Sequence, residues 1–185
     1  AIIDKLDGDK GVAIIPIVGA MLKRGNMIDD ASGVRDTRDL CAEIDWAEKD
    51  ERVSAIVLEI DSGGGSVDGT EELAKVVANT IKPIVVWGDG LIASAAYWVA
   101  SQSDFIMMNS ATTSEVGSIG VYAMYQNITG FLKKEGIQIE ILRSDGSEDK
   151  VALNPFENPN KDAKEREIEQ MTLIRKTFIE AIKAK

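Results

Sequence analysis

Short apolar runs alternate with amphipathic stretches along most of the chain. Val12-Ala-Ile-Ile-Pro-Ile-Val18 is rich in β-branched residues and closes at Gly19, which predicts a strand. Residues 34–50 place Leu40, Ile44 and Ala47 on one helical face. Val53-Ser-Ala-Ile-Val-Leu-Glu-Ile60 has the pattern of a buried strand and runs into Asp61-Ser-Gly-Gly-Gly-Ser66. A helix is predicted from Thr70 to about Ile81, with Leu73, Val76 and Val77 inward. Pro83 opens a strand at Ile84 to Trp87, a helix follows from Ala95 to Ser101, and Phe105 to Met108 is a short strand. Val116-Gly-Ser-Ile-Gly120 reads as a turn leading into Val121-Tyr-Ala-Met124. A helix from about Gln126 stops at Gly136, and Ile137 to Leu142 is predicted as another strand. Ser144 to Asn160 reads as loop. Residues 161–184 form a long charged helix with Ile168, Met171, Ile174, Phe178, Ile179 and Ile182 as its apolar positions.

Strands alternating with helices require βαβ crossovers, so the expected fold class is α/β with a mostly parallel sheet. The 185 residues fit a single domain, 1–185, that buries one core. The thin apolar stripe of the last helix suggests packing on a neighbouring subunit, which a monomer in light scattering would contradict.

Composition narrows the chemistry. Apolar residues make up 44% and charged residues 28%, as in an ordinary folded domain. The net charge of −10 argues against a nucleic-acid partner. No apolar run reaches the length of a membrane span. Ala1-Ile-Ile-Asp-Lys5 lacks a signal-peptide pattern; without an initiator Met, a fragment with an upstream anchor stays open. A single cysteine, Cys41, excludes an intramolecular disulfide, and its helical spacing with Leu40 and Ile44 suggests a buried, inert thiol. No cofactor is expected, and with no histidine and one cysteine a zinc-type metal site is not expected either.

The absence of histidine matters most beside Ile84-Val-Val-Trp-Gly-Asp-Gly-Leu-Ile-Ala-Ser94-Ala-Ala-Tyr-Trp98. Here an apolar strand runs through a tight turn into a serine and a small-residue helix start. Ser94 reads either as a helix N-cap or as a nucleophile with free backbone N–H groups beside it. A Ser-His-Asp triad is impossible, so a nucleophilic Ser94 needs another base, and lysine is the obvious remaining candidate. Lys150, between an acidic loop and Val151-Ala-Leu-Asn-Pro-Phe156, reads as a surface lysine or as one turned inward. The Gly63-Gly-Gly65 turn reads as a plain βα turn, a phosphate cradle or an oxyanion hole, although its spacing fits neither the dinucleotide fingerprint nor the P-loop. Ser118 has a turn role or could hydrogen-bond a neutral amine.

Taken in order, the glycine turn, Ala93-Ser-Ala-Ala-Tyr97, Gly117-Ser-Ile-Gly-Val121 and a lysine before Pro155-Phe156 resemble the signal peptide peptidase A family of serine proteases. The resemblance covers nearly the whole chain. Ile14-Ile-Pro-Ile-Val-Gly-Ala-Met-Leu-Lys-Arg-Gly25 and Lys150-Val-Ala-Leu-Asn-Pro-Phe156 look closest to its phage branch, the head-maturation or capsid-assembly proteases. The resemblance implies a crotonase/Clp-protease-like βαβ spiral, a homo-oligomer, a polypeptide substrate and possible capsid or scaffold partners, with a Ser-Lys dyad acting as endopeptidase. It puts the nucleophile on Ser94, the general base on Lys150, the lysine-positioning serine on Ser118, and the oxyanion donors on Ala95 and Gly65, with Gly64 adjacent. Three departures stand out. The turn is Ser62-Gly-Gly-Gly65 without the family's proline, Ala95-Ala96 replaces a glycine pair, and the gap from Gly146 to Lys150 is one residue longer. Glu148 and Asp149 adjoin Lys150, and a carboxylate touching it would favour the charged amine and oppose its role as base.

Other classes remain open at the level of sequence. One is a cellular signal-peptide-degrading relative, membrane-associated through a lost anchor rather than cytoplasmic. Another is a non-catalytic assembly module of the same fold. An acyl-CoA enzyme of crotonase type is weaker, because basic CoA-binding residues are not evident.

Overall fold

The computed structural model describes residues 2–5, 10–25 and 33–185. Among these, seven strands form one sheet: β1 (Ile2–Lys5), β2 (Gly11–Leu22), β3 (Arg35–Asp36), β4 (Val53–Gly65), β5 (Ile84–Ala93), β6 (Phe105–Met108) and β7 (Glu115–Gly117). The path runs β1-β2-β4-β5-β6, with β3 paired to β2 and β7 to β5. β1 pairs antiparallel with β2, and every other pairing is parallel. Helices α1 (Thr37–Lys49), α2 (Thr70–Asn79) and α3 (Ala95–Ala100) carry the chain between strands. The mostly parallel α/β fold expected from the sequence is therefore present, with the sheet path following chain order.

The core lies on one face of this sheet. Ile15 and Ile17 of β2, Ile56, Leu58 and Ile60 of β4, and Ile84 and Val86 of β5 are buried, two residues apart within each run, and Ile92 is buried beyond the bulge in β5. Strand geometry sends alternate side chains to opposite faces. α1, with Leu40, Ile44 and Ala47 buried, packs on β2 and β4, α3 packs on β4 and β5, and α2, with Leu73 and Val77 buried, packs against both helices. Val57 and Val85, on the alternate positions, are only half-buried. β4 is thus buried on one face and half-buried on the other. Its near-continuous apolar run overstated the second face.

Several elements differ in extent from the pattern-based expectation. β2 continues past Gly19 to Leu22, β4 continues through the glycine turn to Gly65, and β5 continues through Gly90 to Ala93. Propensity alone would stop each strand at glycine, but parallel neighbours supply ladder partners beyond it. α1 starts at Thr37 because Asp36 caps it, its Oδ1 accepting from Arg38 N at 2.8 Å. Cys41, expected to be buried, is only half-buried, and that partial burial pushes its thiol pKa up. No described helix is long and apolar enough to cross a membrane.

The chain divides into two compact units: residues 1–120 with 177–185, and 121–176. The second contains α4 (Thr129–Lys134) and most of α5 (Lys161–Lys183). Ile137 to Leu142, expected as a strand, joins no ladder there. The segment has β-prone residues, but among the described residues no strand pairs with it. The unit is held instead by side-chain and loop bonds: Tyr125 OH donates to Glu157 O at 2.7 Å, and Ile128 N to Pro155 O at 3.0 Å.

The last turns of α5 belong to the first unit. Phe178 is 2% exposed and stacks on Trp98 of α3 at 4.8 Å with 7° between the rings. Gln102 Nε2 donates to Ala181 O at 3.1 Å. The expectation that this helix packs on a neighbour instead of its own core fails for these turns, although Ile168 and Leu173 remain more than half exposed. Phe178→Ala is expected to destabilise the first unit by about 3 kcal/mol or more, read as a lower urea midpoint.

Candidate active site

Ser94 sits where β5 turns into α3, and its backbone is strained there, at φ 54° and ψ −124°. A non-glycine residue at positive φ costs energy and persists only where its surroundings enforce it. Three neighbours do so. β5 bulges as it passes β4: Ile60 pairs with Gly88, and the next pair, Ser62 with Ile92, is two residues on in β4 but four in β5. Asp61 Oδ1 pins the bulge by accepting from Leu91 N at 3.0 Å. On the other side β7 pairs with Leu91, Ile92 and Ala93, and Ser94 N donates to Gly117 O at 2.9 Å.

The third neighbour is the glycine turn. A Cβ on Gly64, whose φ is +98°, would lie 2.8 Å from both Ala93 O and Ala95 N, and 2.9 Å from Ser94 Cβ. A Cβ on Gly65 would run into Met21 O. Only glycine lets β4 approach both the serine turn and β2 so closely. Ser62 braces the turn, donating from Oγ to Gly19 O at 2.5 Å and accepting from Gly64 N at 3.1 Å. The Gly64 amide is therefore engaged within the turn. Ala95 is the first residue of α3, a position whose N–H has no intrahelical acceptor.

Ser94 occupies the N-cap position, yet its side chain makes no capping hydrogen bond. The hydroxyl is not spent on the role that most often explains a serine there. Ser118, at φ 57°, directly follows the Gly117 whose carbonyl holds Ser94 N. Ser94, Ala95, Gly64, Gly65 and Ser118 all lie in the first unit, where the glycine turn and β7 flank the serine.

Lys150 lies in the second unit, exposed, in a turn where its N–H donates to Ser147 O at 3.0 Å. Its carbonyl accepts from Arg143 Nε at 2.7 Å. The adjoining carboxylates are engaged elsewhere: Glu148 Oε1 accepts from Gly146 N at 3.0 Å, and Asp149 pairs with Arg166 at 2.5 Å.

The profile of peptidase family S49 matches residues 77–185, the part that carries Ser94, Ser118 and Lys150. The chain belongs to peptidase family S49. This agrees with the resemblance to signal peptide peptidase A, and with its protease-named relatives it supports a serine peptidase. Capsid assembly protease C of Escherichia phage lambda is 29% identical over 176 residues, covering 94% of this chain and 39% of that protein. A putative protease of Methanocaldococcus jannaschii is 34% identical over 142 residues, covering 76% and 43%. Protease 4 of Haemophilus influenzae is 27% identical over 161 residues, covering 85% and 25%. The S49 chain thus spans less than half the length of each of these relatives. Among solved structures, a ClpP1 mutant from Listeria monocytogenes is similar at 16% identity over 51% of this chain and 54% of that one, with a TM-score of 0.38. A mutant of a membrane-bound stomatin-specific protease is similar at 20% identity over 55% and 44%, with a TM-score of 0.42.

Sequence reasoning missed Asp61, Ser62 and Gly117 as supports of the S49 serine turn. Asp61 and Ser62 read as turn composition, because the bonds that give them their roles span 30 and 43 residues. The backbone of Ser94 gives a direct check. Ser94→Gly is expected to be more stable than Ser94→Ala by about 1 kcal/mol, because glycine reaches positive φ without strain. Equal unfolding free energies for the two variants would contradict the strained turn.

Proposed function

We propose that the chain is the protease domain of a serine endopeptidase in which Ser94 is the nucleophile and Lys150 the general base. The observation that carries the reading is the strained, uncapped Ser94 pressed against the glycine turn. A serine used only as a helix cap would bond its own helix and would need no such backbone.

Neutral Lys150 Nζ takes the Ser94 proton as Oγ attacks the scissile carbonyl. The Gly65 and Ala95 amides stabilise the oxyanion. The tetrahedral species collapses, the C–N bond breaks, and Nζ returns the proton to the leaving amine. Water then gives its proton to Nζ and attacks the acyl-enzyme. Collapse of that second adduct frees the carboxylic acid product, and Ser94 Oγ regains its proton. Ser118 orients the amine by hydrogen bonding. No cofactor or metal is needed for these steps.

The substrate class is polypeptide. Phage head or scaffold protein is the favoured source, supported by the match to the lambda capsid assembly protease over 94% of this chain. A homo-oligomer acting in the host cytoplasm fits the same reading.

Ser94→Ala and Lys150→Ala are each expected to lower kcat by about a thousandfold or more, with circular dichroism and melting behaviour retained. Full turnover in Lys150→Ala would move the base elsewhere. Because the base must be neutral, activity is expected to rise with pH along a single limb in the alkaline range. A flat profile from about pH 6 to 9 would contradict a lysine base.

A further inference from the structure

Lys150 stands in an acidic neighbourhood, and the second unit engages three of the carboxylates there. Glu148 turns back on its own loop to accept from Gly146 N. Glu157 is held by Arg143 Nη2 at 2.6 Å and Nη1 at 3.2 Å, with Asn154 Nδ2 adding a bond at 2.9 Å. The Arg143 guanidinium, with help from Asn154, keeps the Glu157 carboxyl below the usual range, so it stays ionised and committed to that partner. The same guanidinium group reaches Lys150 O through Nε. Asp145 is exposed at the turn tip. Asp149 is the carboxylate next to Lys150 in sequence, and it is drawn across to α5, where Arg166 Nη2 holds Oδ1 at 2.5 Å. The two residues line a cavity of about 370 Å³ with Val151, Ala152, Leu153, Ala163 and Glu167. The residue after Lys150, Val151, has φ 53° and is 58% exposed. A β-branched residue is a poor choice for that backbone, so the turn is held by its bonds and not by local preference.

We propose that Arg166 is a positioning residue for the base: it commits the Asp149 carboxylate to an ion pair on α5, so that this charge does not pair with the adjoining Lys150 amine. The proposal rests on Lys150 being the base. Both members of the pair are about half exposed or more, at 52% and 65%, and such pairs add little to stability. Removing the pair should therefore leave the fold intact and act through charge. A released Asp149 carboxylate would favour the protonated amine one residue away. Loss of the arginine cation acts in the same direction.

The test is the pH dependence of kcat/KM on a quenched-fluorescent apolar peptide, using the whole chain. In Arg166→Gln the rising limb is expected to move to higher pH by roughly half a unit. Asp149→Asn combined with Arg166→Gln should return the limb to its wild-type position, and Arg166→Lys should hold it there. An unmoved limb in Arg166→Gln, or an equal displacement in the double variant, would overturn the role of Arg166. Lys150→Ala separates the two readings. If it is inactive while the Arg166→Gln limb stays in place, only the positioning role fails. If it is fully active, the base assignment itself fails.

Discussion

The close approach of a glycine turn to a strained serine is the constraint on which the rest of this structure depends. Gly64 leaves no room for a side chain against Ala93, Ser94 and Ala95, and Gly65 leaves none against Met21. Ser94 in turn holds a backbone conformation costing of order 1–3 kcal/mol for a non-glycine residue. A strain of that size survives only if rigid elements enforce it. The parallel ladder fixes β4 beside β5, Asp61 pins the bulge, and Gly117 O holds the Ser94 amide. From below, α3 is anchored by the stack of Trp98 on Phe178.

The two units use different physics. The first is built on a dry sheet face covered by helices, and positions Ser94 through backbone bonds and close packing. The second has no ladder of its own and places Lys150 through a turn, an arginine on its carbonyl and ion pairs that draw carboxylates aside. Surface ion pairs are screened by salt and contribute little to stability, whereas close packing is indifferent to ionic strength. Ser94 is thus set by packing, and the turn that carries Lys150 by ion pairs that respond to pH and salt.

Much of the fold was legible because the first unit obeys local patterns. The apolar runs at Ile56–Ile60 and Ile84–Trp87 and the helical spacing of Leu73 and Val77 mark real elements. The errors cluster where a distant partner decides. β2, β4 and β5 run through glycines because neighbouring strands pair with them there. Ile137–Leu142 looks like a strand and joins none, because alternation reports β-preference but cannot supply a second strand. The site follows the same division. The order of glycine turn, Ser94, Ser118 and Lys150 is visible along the chain, and Ser94 could be weighed against a helix cap. Its positive φ, the brace from Ser62 and the pull of Arg166 on Asp149 depend on contacts that sequence order does not encode.

The central claim is that Ser94 is nucleophilic because a neutral Lys150 takes its proton. The most direct measurement is the rate at which a serine-reactive phosphonate modifies the protein, with the adduct located by mass spectrometry. The account predicts a single adduct on Ser94, with a modification rate that rises with pH and falls at least a hundredfold in Lys150→Ala. An adduct elsewhere, or an unchanged rate at Ser94 without the lysine, would contradict it.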